Sequence, residues 1–442
     1  MAELLLDIDH LDASGDGVAR HRGRTIAVPF TIPGERVRAR LDPSRPGGAV
    51  LVEVVRPSPD RVQPGCTHFG ACGGCSWQHI AYPAQLRLKT ALLDRLVHQA
   101  VPDAPQARPM LAATPLDEPW HYRQKVHFVF ASSEAGLVMG HYARGSREVM
   151  AVRDCPVHDE RGNAVAFRLF DAYAKAARQG LSSLKSLVVR TSIAAGEIMA
   201  TLVVTGDSDR RVRTATRAAL AAAGAPSSFH VNVHPRDDGY IFGTETKRIS
   251  GTERLREDAG GVRFLISPAS FFQTNVRAAD ILVRLVLEAV PAGVDVLDLY
   301  AGAGLFALPL ARRGSRVTAV EANRAAVADG EASLRVNRIE AGRCRFVAAP
   351  VRQFTARAAA APAVVLDPPR EGCERAVVDA VFGRLRPATA VYVSCNPETL
   401  ARDLRAAVRH GYAVASLQPV DMFPHTPHIE TVATLTRPGR RR

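Results

Sequence analysis

From Phe271 onward, apolar runs of strand length alternate with runs of helix length, and this alternation limits the possible folds more than any other feature of the chain. Strands are expected at 294–299, 316–321, 344–348, 364–367, 390–394, 413–417 and 431–436. Helices are expected between them at 305–312, 325–336, 376–385 and 399–410. The pattern predicts a doubly wound parallel sheet, and its seven strands exceed the six of a dinucleotide-binding domain. Ligands of such sheets sit at the carboxyl ends of the strands, so those turns carry the search for chemistry.

Two further parts precede this sheet. Residues 1–58 read as a small β-rich module with turn glycines and Pro33-Gly34. Arg36, Arg38 and Arg40 alternate there with Val37, Ala39 and Leu41, so one strand turns three guanidinium groups to one face. An OB-like barrel that grips RNA fits this pattern, and a charged edge strand is the competing reading. Residues 59–268 read as mixed strands and helices, with helices at 86–100, 165–177 and 211–223 and strands at 126–130 and 187–190. Residues 269–442 complete the chain. Its net charge of +13 favours a polyanionic partner, against the alternative of a coding bias toward arginine. The arginines at 437 and 440–442 read as a solvated tail. No run approaches the roughly 20 apolar residues of a membrane span, and Met1-Ala-Glu-Leu-Leu-Leu-Asp lacks a basic signal-peptide start. A cytoplasmic monomer without membrane contact is expected.

Asp298-Leu-Tyr-Ala-Gly-Ala-Gly304 follows the first strand of the sheet. Its glycines allow close backbone approach to a ligand, while Ala307 stands where a dinucleotide fingerprint has its third glycine. Glu321 ends the second strand, placed to accept both hydroxyls of a ribose. A 2′-phosphate would be repelled there. An adenosine ligand without phosphates fits best, and S-adenosylmethionine is the evident one. Asp367-Pro-Pro-Arg370 closes the fourth strand. Arg370 occupies the place of the aromatic residue found in similar tetrads of amine methyltransferases, which argues against that chemistry.

Val393-Ser-Cys-Asn-Pro397 ends the fifth strand and enters a helix, where a thiolate is favoured. Cys344, among apolar strand residues, reads as inert core, and Cys373 is the competing candidate nucleophile. Uracil carbon-5 is a poor nucleophile until a thiolate adds at carbon-6 and makes the ring an enolate. A base must afterwards remove the carbon-5 proton. Cys395 is expected to be the nucleophile and Glu430 the base, with His425 and His428 orienting it or steadying its loop.

In order, Phe271-Phe-Gln-Thr-Asn275, Asp298–Gly304, Asp367–Arg370, Val393–Pro397 and Asp421-Met-Phe-Pro-His-Thr-Pro-His-Ile-Glu430 resemble the RNA 5-methyluridine methyltransferases, most closely the branch acting on 23S rRNA. The resemblance implies a Rossmann-like class I methyltransferase domain, a central α+β domain and an N-terminal TRAM-like barrel. It also implies cofactor contacts at Gln273, Tyr300, Glu321 and Asp367. Cys66, Cys72, Cys75 and Cys155 suit either zinc or an iron–sulfur cluster by residue type; the resemblance, and Pro156 after Cys155, point to a structural 4Fe–4S cluster. His121-Tyr-Arg-Gln-Lys125 resembles an RNA-contacting element in which many members carry Asn at the position of Gln124. The partner implied is RNA, 23S rRNA ahead of tRNA. The rivals are a cytosine carbon-5 methyltransferase, which usually carries Pro-Cys at the nucleophile, and a non-catalytic RNA-binding factor.

Overall fold

The computed structural model describes residues 3–134, 136–177, 183–206, 209–340 and 342–437; the arginines at 440–442 lie outside them. Two compact units emerge, one of residues 1–118, 369–373 and 393–442, the other of residues 119–368 and 374–392. None of the described helices is long and apolar enough to cross a membrane.

The first unit begins with two three-stranded antiparallel sheets. Glu3–Asp7, Arg36–Leu41 and Ala49–Arg56 form one, His10–Leu11, Gly17–His21 and Arg24–Val28 the other. Both send alternate side chains into one core of Leu6, Ile8, Ala19, Ile26, Val28, Val37, Ala39 and Ala49, as a small barrel does. The three arginines face outward as their alternation predicts. They do not form an uncompensated basic face, however. Arg36 meets Asp7 at 3.6 Å, and Arg38 meets Glu3 at 3.7 Å and Glu53 at 3.1 Å. Helix α1 (Tyr82–Ala100) follows the early cysteines, with Pro83 in its first turn, where a missing N–H is harmless.

The second unit opens with a seven-stranded mixed sheet that includes Lys125–Ser133, Leu184–Thr191 and Ile198–Val204. Helices Glu160–Ala177 and Arg210–Ala221 pack on it through Leu169, Phe170, Tyr173, Val212 and Ala219. The unit then builds the parallel sheet from β1 (Asp295–Leu299), β2 (Arg316–Glu321), β3 (Cys344–Ala348), β4 (Ala363–Leu366) and β5 (Thr389–Ser394). Their order is β3-β2-β1-β4-β5, each neighbouring pair parallel. The order reverses between β1 and β4, which opens a crevice at their carboxyl ends. The helix expected at 376–385 is a short α-helix, Arg375–Val378, that widens into a π-helical stretch, Asp379–Leu385.

The last two expected strands, β6 (Ala413–Asp421) and β7 (Glu430–Thr436), pair antiparallel in the first unit. The strand expected at 413–417 is four residues longer in the fold, continuing past Pro419, a residue that sheets usually confine to their edges. In the fold, the Gln418 amide donates to the Pro419 carbonyl at 3.1 Å, and the strand runs on to Asp421.

Candidate active site

The second unit places three of the expected cofactor residues, Tyr300, Glu321 and Asp367, at the ends of β1, β2 and β4. After β1 the chain turns through left-handed backbone at Tyr300 (φ 65°), Gly302 (φ 55°) and Gly304 (φ 89°). The Gly302 N–H donates to Glu321 at 3.0 Å, and the other Glu321 oxygen accepts from the Asn323 N–H at 2.7 Å. Glu321 thus props the glycine loop from the end of β2. A Cβ on Gly302 would meet nothing within 4 Å, so the loop faces open space, whereas one on Gly304 would strike the Phe346 ring at 2.8 Å. The two glycines serve different ends: close ligand approach at 302 and tight packing at 304.

Three carboxyls, Asp298, Glu321 and Asp367, influence one another here. Burial, then the neighbouring Asp367 and, more weakly, Glu321, hold the Asp298 carboxyl well above its ordinary range. Desolvation and the Glu321 charge push Asp367 up to about 7. None of the ion pairs among the described residues includes any of the three. A cationic ligand would relieve this crowding. S-adenosylmethionine carries a sulfonium and an ammonium, so the donor set and the open face at Gly302 fit it.

Gln273 is buried on the loop before helix Val276–Ala289. Within the His121–Lys125 element, Gln124 is buried and turned inward. Its side-chain oxygen caps the Val276 N–H at 3.0 Å, and its own N–H donates to the Thr274 carbonyl at 2.7 Å. Arg190, also buried, donates to the Ser270 carbonyl at 3.2 Å. Both residues tie the mixed sheet to the Gln273 loop. Beside Gln273, Phe271 is 61% exposed, while Phe272 packs on Phe264. The pattern Phe-Phe gave no sign of which ring stays outside.

The first unit contains both expected reacting residues. Cys395 directly follows β5 and is half-buried. Asn396 caps helix Pro397–Arg409, accepting from the N–H groups of Glu398 and Thr399, and its amide donates to the Arg370 carbonyl at 3.1 Å. The Ser394 hydroxyl donates to the Asn396 carbonyl at 3.0 Å. The turn is therefore pinned on both sides of the thiol. Cys373 is buried, its N–H held by Asp403 at 2.8 Å, and burial pushes the Cys344 thiol up to about 12. Neither environment resembles the polar turn at Cys395. Glu430 is buried at the start of β7, opposite Val420. His425 has φ 65° and anchors its loop through its backbone, while His428 packs edge-on to Phe423.

Cys66, Cys72 and Cys75 lie in the first unit and Cys155 in the second. The Gly74 N–H donates to the Cys72 sulfur at 3.4 Å. Among the described residues no group of three or more His, Cys, Asp or Glu is arranged to hold a metal ion. The expectation of a cluster therefore rests on the sequence alone.

Comparison with known proteins completes the site. The family described as tRNA (Uracil-5-)-methyltransferase matches residues 81–438. An uncharacterized RNA methyltransferase of Thermosynechococcus vestitus is 36% identical over 98% of both chains. One from Gloeobacter violaceus is 35% identical over 97% of this chain and 95% of its own. Among solved structures, the tRNA (uracil-54, C5)-methyltransferase of Pyrococcus abyssi, in complex with S-adenosyl-L-homocysteine, is 27% identical. It superposes with a TM-score of 0.78 over 98% of this chain and 100% of its own.

Proposed function

This chain belongs to the RNA uracil-5 methyltransferase family, and from that premise we propose that it forms 5-methyluridine by covalent catalysis through Cys395 and Glu430. The observation that carries the proposal is the placement of Cys395 in a polar turn pinned by Ser394, Asn396 and Arg370, in one unit with the buried Glu430. In this reading the Cys395 thiolate adds to carbon-6 of an extruded uridine, forming the S–C bond and moving the electron pair toward the ring oxygen. S-adenosylmethionine, when bound, supplies the methyl group to carbon-5. Glu430 then removes the carbon-5 proton, the double bond reforms, and the Cys395 sulfur leaves. Gln273, Tyr300, Glu321 and Asp367 hold the methyl donor, with the carboxyls facing its positive charge.

The parts are read as an RNA-gripping barrel at 1–58, a central domain at 59–268 and a catalytic domain at 269–442. The RNA is 23S rRNA in this reading, supported by the N-terminal barrel and the order of the cysteines. Transfer RNA is the second reading, favoured by what the Pyrococcus abyssi protein is named to act on. Cys66, Cys72, Cys75 and Cys155 are proposed as cluster ligands on their order in the sequence alone. Anaerobic purification followed by iron and acid-labile sulfide assay tests that assignment, and protein free of both elements would overturn it.

Replacing Cys395 by Ala tests the mechanism. The expected result is complete loss of methylation with S-adenosylmethionine binding retained. Replacing Glu430 by Gln is expected to leave a protein–RNA adduct on denaturing gels. Normal turnover without adduct would reassign the base.

A further inference from the structure

The loop that leads to Glu430 is gripped by a helix more than 300 positions earlier in the chain. Lys89 of α1 and Asp421 at the end of β6 are both fully buried, with Nζ 2.6 Å from Oδ1. The same ammonium donates to the Phe423 carbonyl at 3.0 Å and lies over the Trp77 ring. One turn earlier on α1, the buried side chain of Gln85 spends both ends on the surrounding backbone and on His425. Its oxygen accepts the His425 N–H at 2.8 Å. Its amide donates to the Ile80 carbonyl at 2.9 Å and the Trp77 carbonyl at 3.2 Å, and lies 3.3 Å from His425 Nδ1. The carbonyl of His425 accepts the N–H groups of Ser76 and Trp77 at 3.0 and 2.9 Å.

Two features separate this arrangement from ordinary packing. His425 is held at φ 65°, a left-handed conformation that a non-glycine residue keeps only where its surroundings over-determine it. A buried ion pair is also no better for stability than apolar residues of the same volume, and its best-attested use is to specify one geometry. Asp421, Phe423 and His425 are thereby fixed at alternate positions, and β7 opens with Glu430 five residues after the last of them.

We propose that Gln85 and Lys89 are positioning residues for proton abstraction: α1 sets the 421–425 segment so that Glu430 reaches the carbon-5 proton of the methylated adduct. The proposal rests on the reading of Glu430 as the base. It assigns these residues to release of the product, not to formation of the adduct. The Glu430 carboxylate takes the proton, and the electron pair left on carbon-5 expels the Cys395 sulfur.

The test is a single-turnover experiment on the full-length protein with methyl-labelled S-adenosylmethionine and RNA, following label in the denaturation-resistant adduct and in free RNA. Gln85→Met is expected to form adduct within about two-fold of the wild-type rate but to release methylated RNA at least about ten-fold more slowly, so that adduct accumulates. The neutral pair Lys89→Gln with Asp421→Asn, which removes both buried charges together, is expected to shift the same partition and stands in if Gln85→Met does not fold. Equal slowing of formation and release in both variants, or no accumulation of adduct, would overturn the proposal. Glu430→Gln is run in parallel. If it accumulates adduct and the α1 variants do not, the positioning claim alone fails; if it leaves none, the base assignment fails and takes the positioning claim with it.

Discussion

Asp367 has an ordinary carboxylate's charge only above about pH 7, because desolvation and Glu321 hold its proton on. The sign of the resulting pH dependence follows. The empty folded protein keeps a proton that the unfolded chain releases near its ordinary value of 3.8, so stability declines as pH rises from about 4 to about 7. A cationic ligand reverses that trend by favouring the carboxylate. The thermal shift produced by S-adenosylmethionine should therefore grow as pH rises through about 7. Asp367→Asn should flatten the profile and weaken binding about ten-fold at high pH. A wild-type shift that is flat with pH would remove Asp367 from the cofactor site. Other residue-scale assignments were readable only in part. Cys395 was accessible because Ser394, Asn396 and Pro397 announce a polar turn into a helix. The inward turn of Gln124 was not, since the backbone it caps lies about 150 residues further on.

At the scale of elements, the glycine loop and the helix entered after Cys395 make separable predictions. Gly304→Ala places a Cβ 2.8 Å from the Phe346 ring at φ 89°, and should destabilise the protein by about 1–3 kcal/mol. Gly302→Ala meets only open space, so its cost is confined to the backbone, about 1 kcal/mol. Its added methyl would instead intrude where a ligand lies, and calorimetry should show weaker S-adenosylmethionine binding out of proportion to the small drop in melting temperature. If Gly304→Ala proved the milder change in stability, the packing argument at Phe346 would be wrong. Strands β1, β4 and β5 were legible because nearly every residue in them is buried, which reads as a short apolar run. The π-helical stretch at Asp379–Leu385 was not, because its apolar spacing also suits an α-helix. The helix expected from periodicity begins at 86 and leaves Gln85 outside it, whereas α1 begins at Tyr82. Periodicity cannot show that Gln85 and Lys89 reach side chains and backbone more than 300 residues away.

For the whole molecule, a net charge of +13 predicts RNA binding that weakens steeply with salt, since each neutralised phosphate releases counterions. Between about 50 and about 200 mM salt, RNA affinity should fall by at least about ten-fold. Affinity for S-adenosylmethionine should change far less, because only one ligand charge or two are involved. The barrel's Arg36 and Arg38 contribute less to that slope than their spacing implies, since Asp7, Glu3 and Glu53 already pair with them. Charge neutralised within the sheet is a tertiary fact that alternation alone does not reveal. The reaction itself is tested most directly by nucleoside mass spectrometry after incubating the protein and S-adenosylmethionine with unmodified 23S rRNA and, separately, unmodified tRNA. The account predicts 5-methyluridine in the 23S rRNA pool with the wild-type protein and none with Cys395→Ala. Absence of 5-methyluridine from both pools, with S-adenosylmethionine bound and the protein folded, would contradict it.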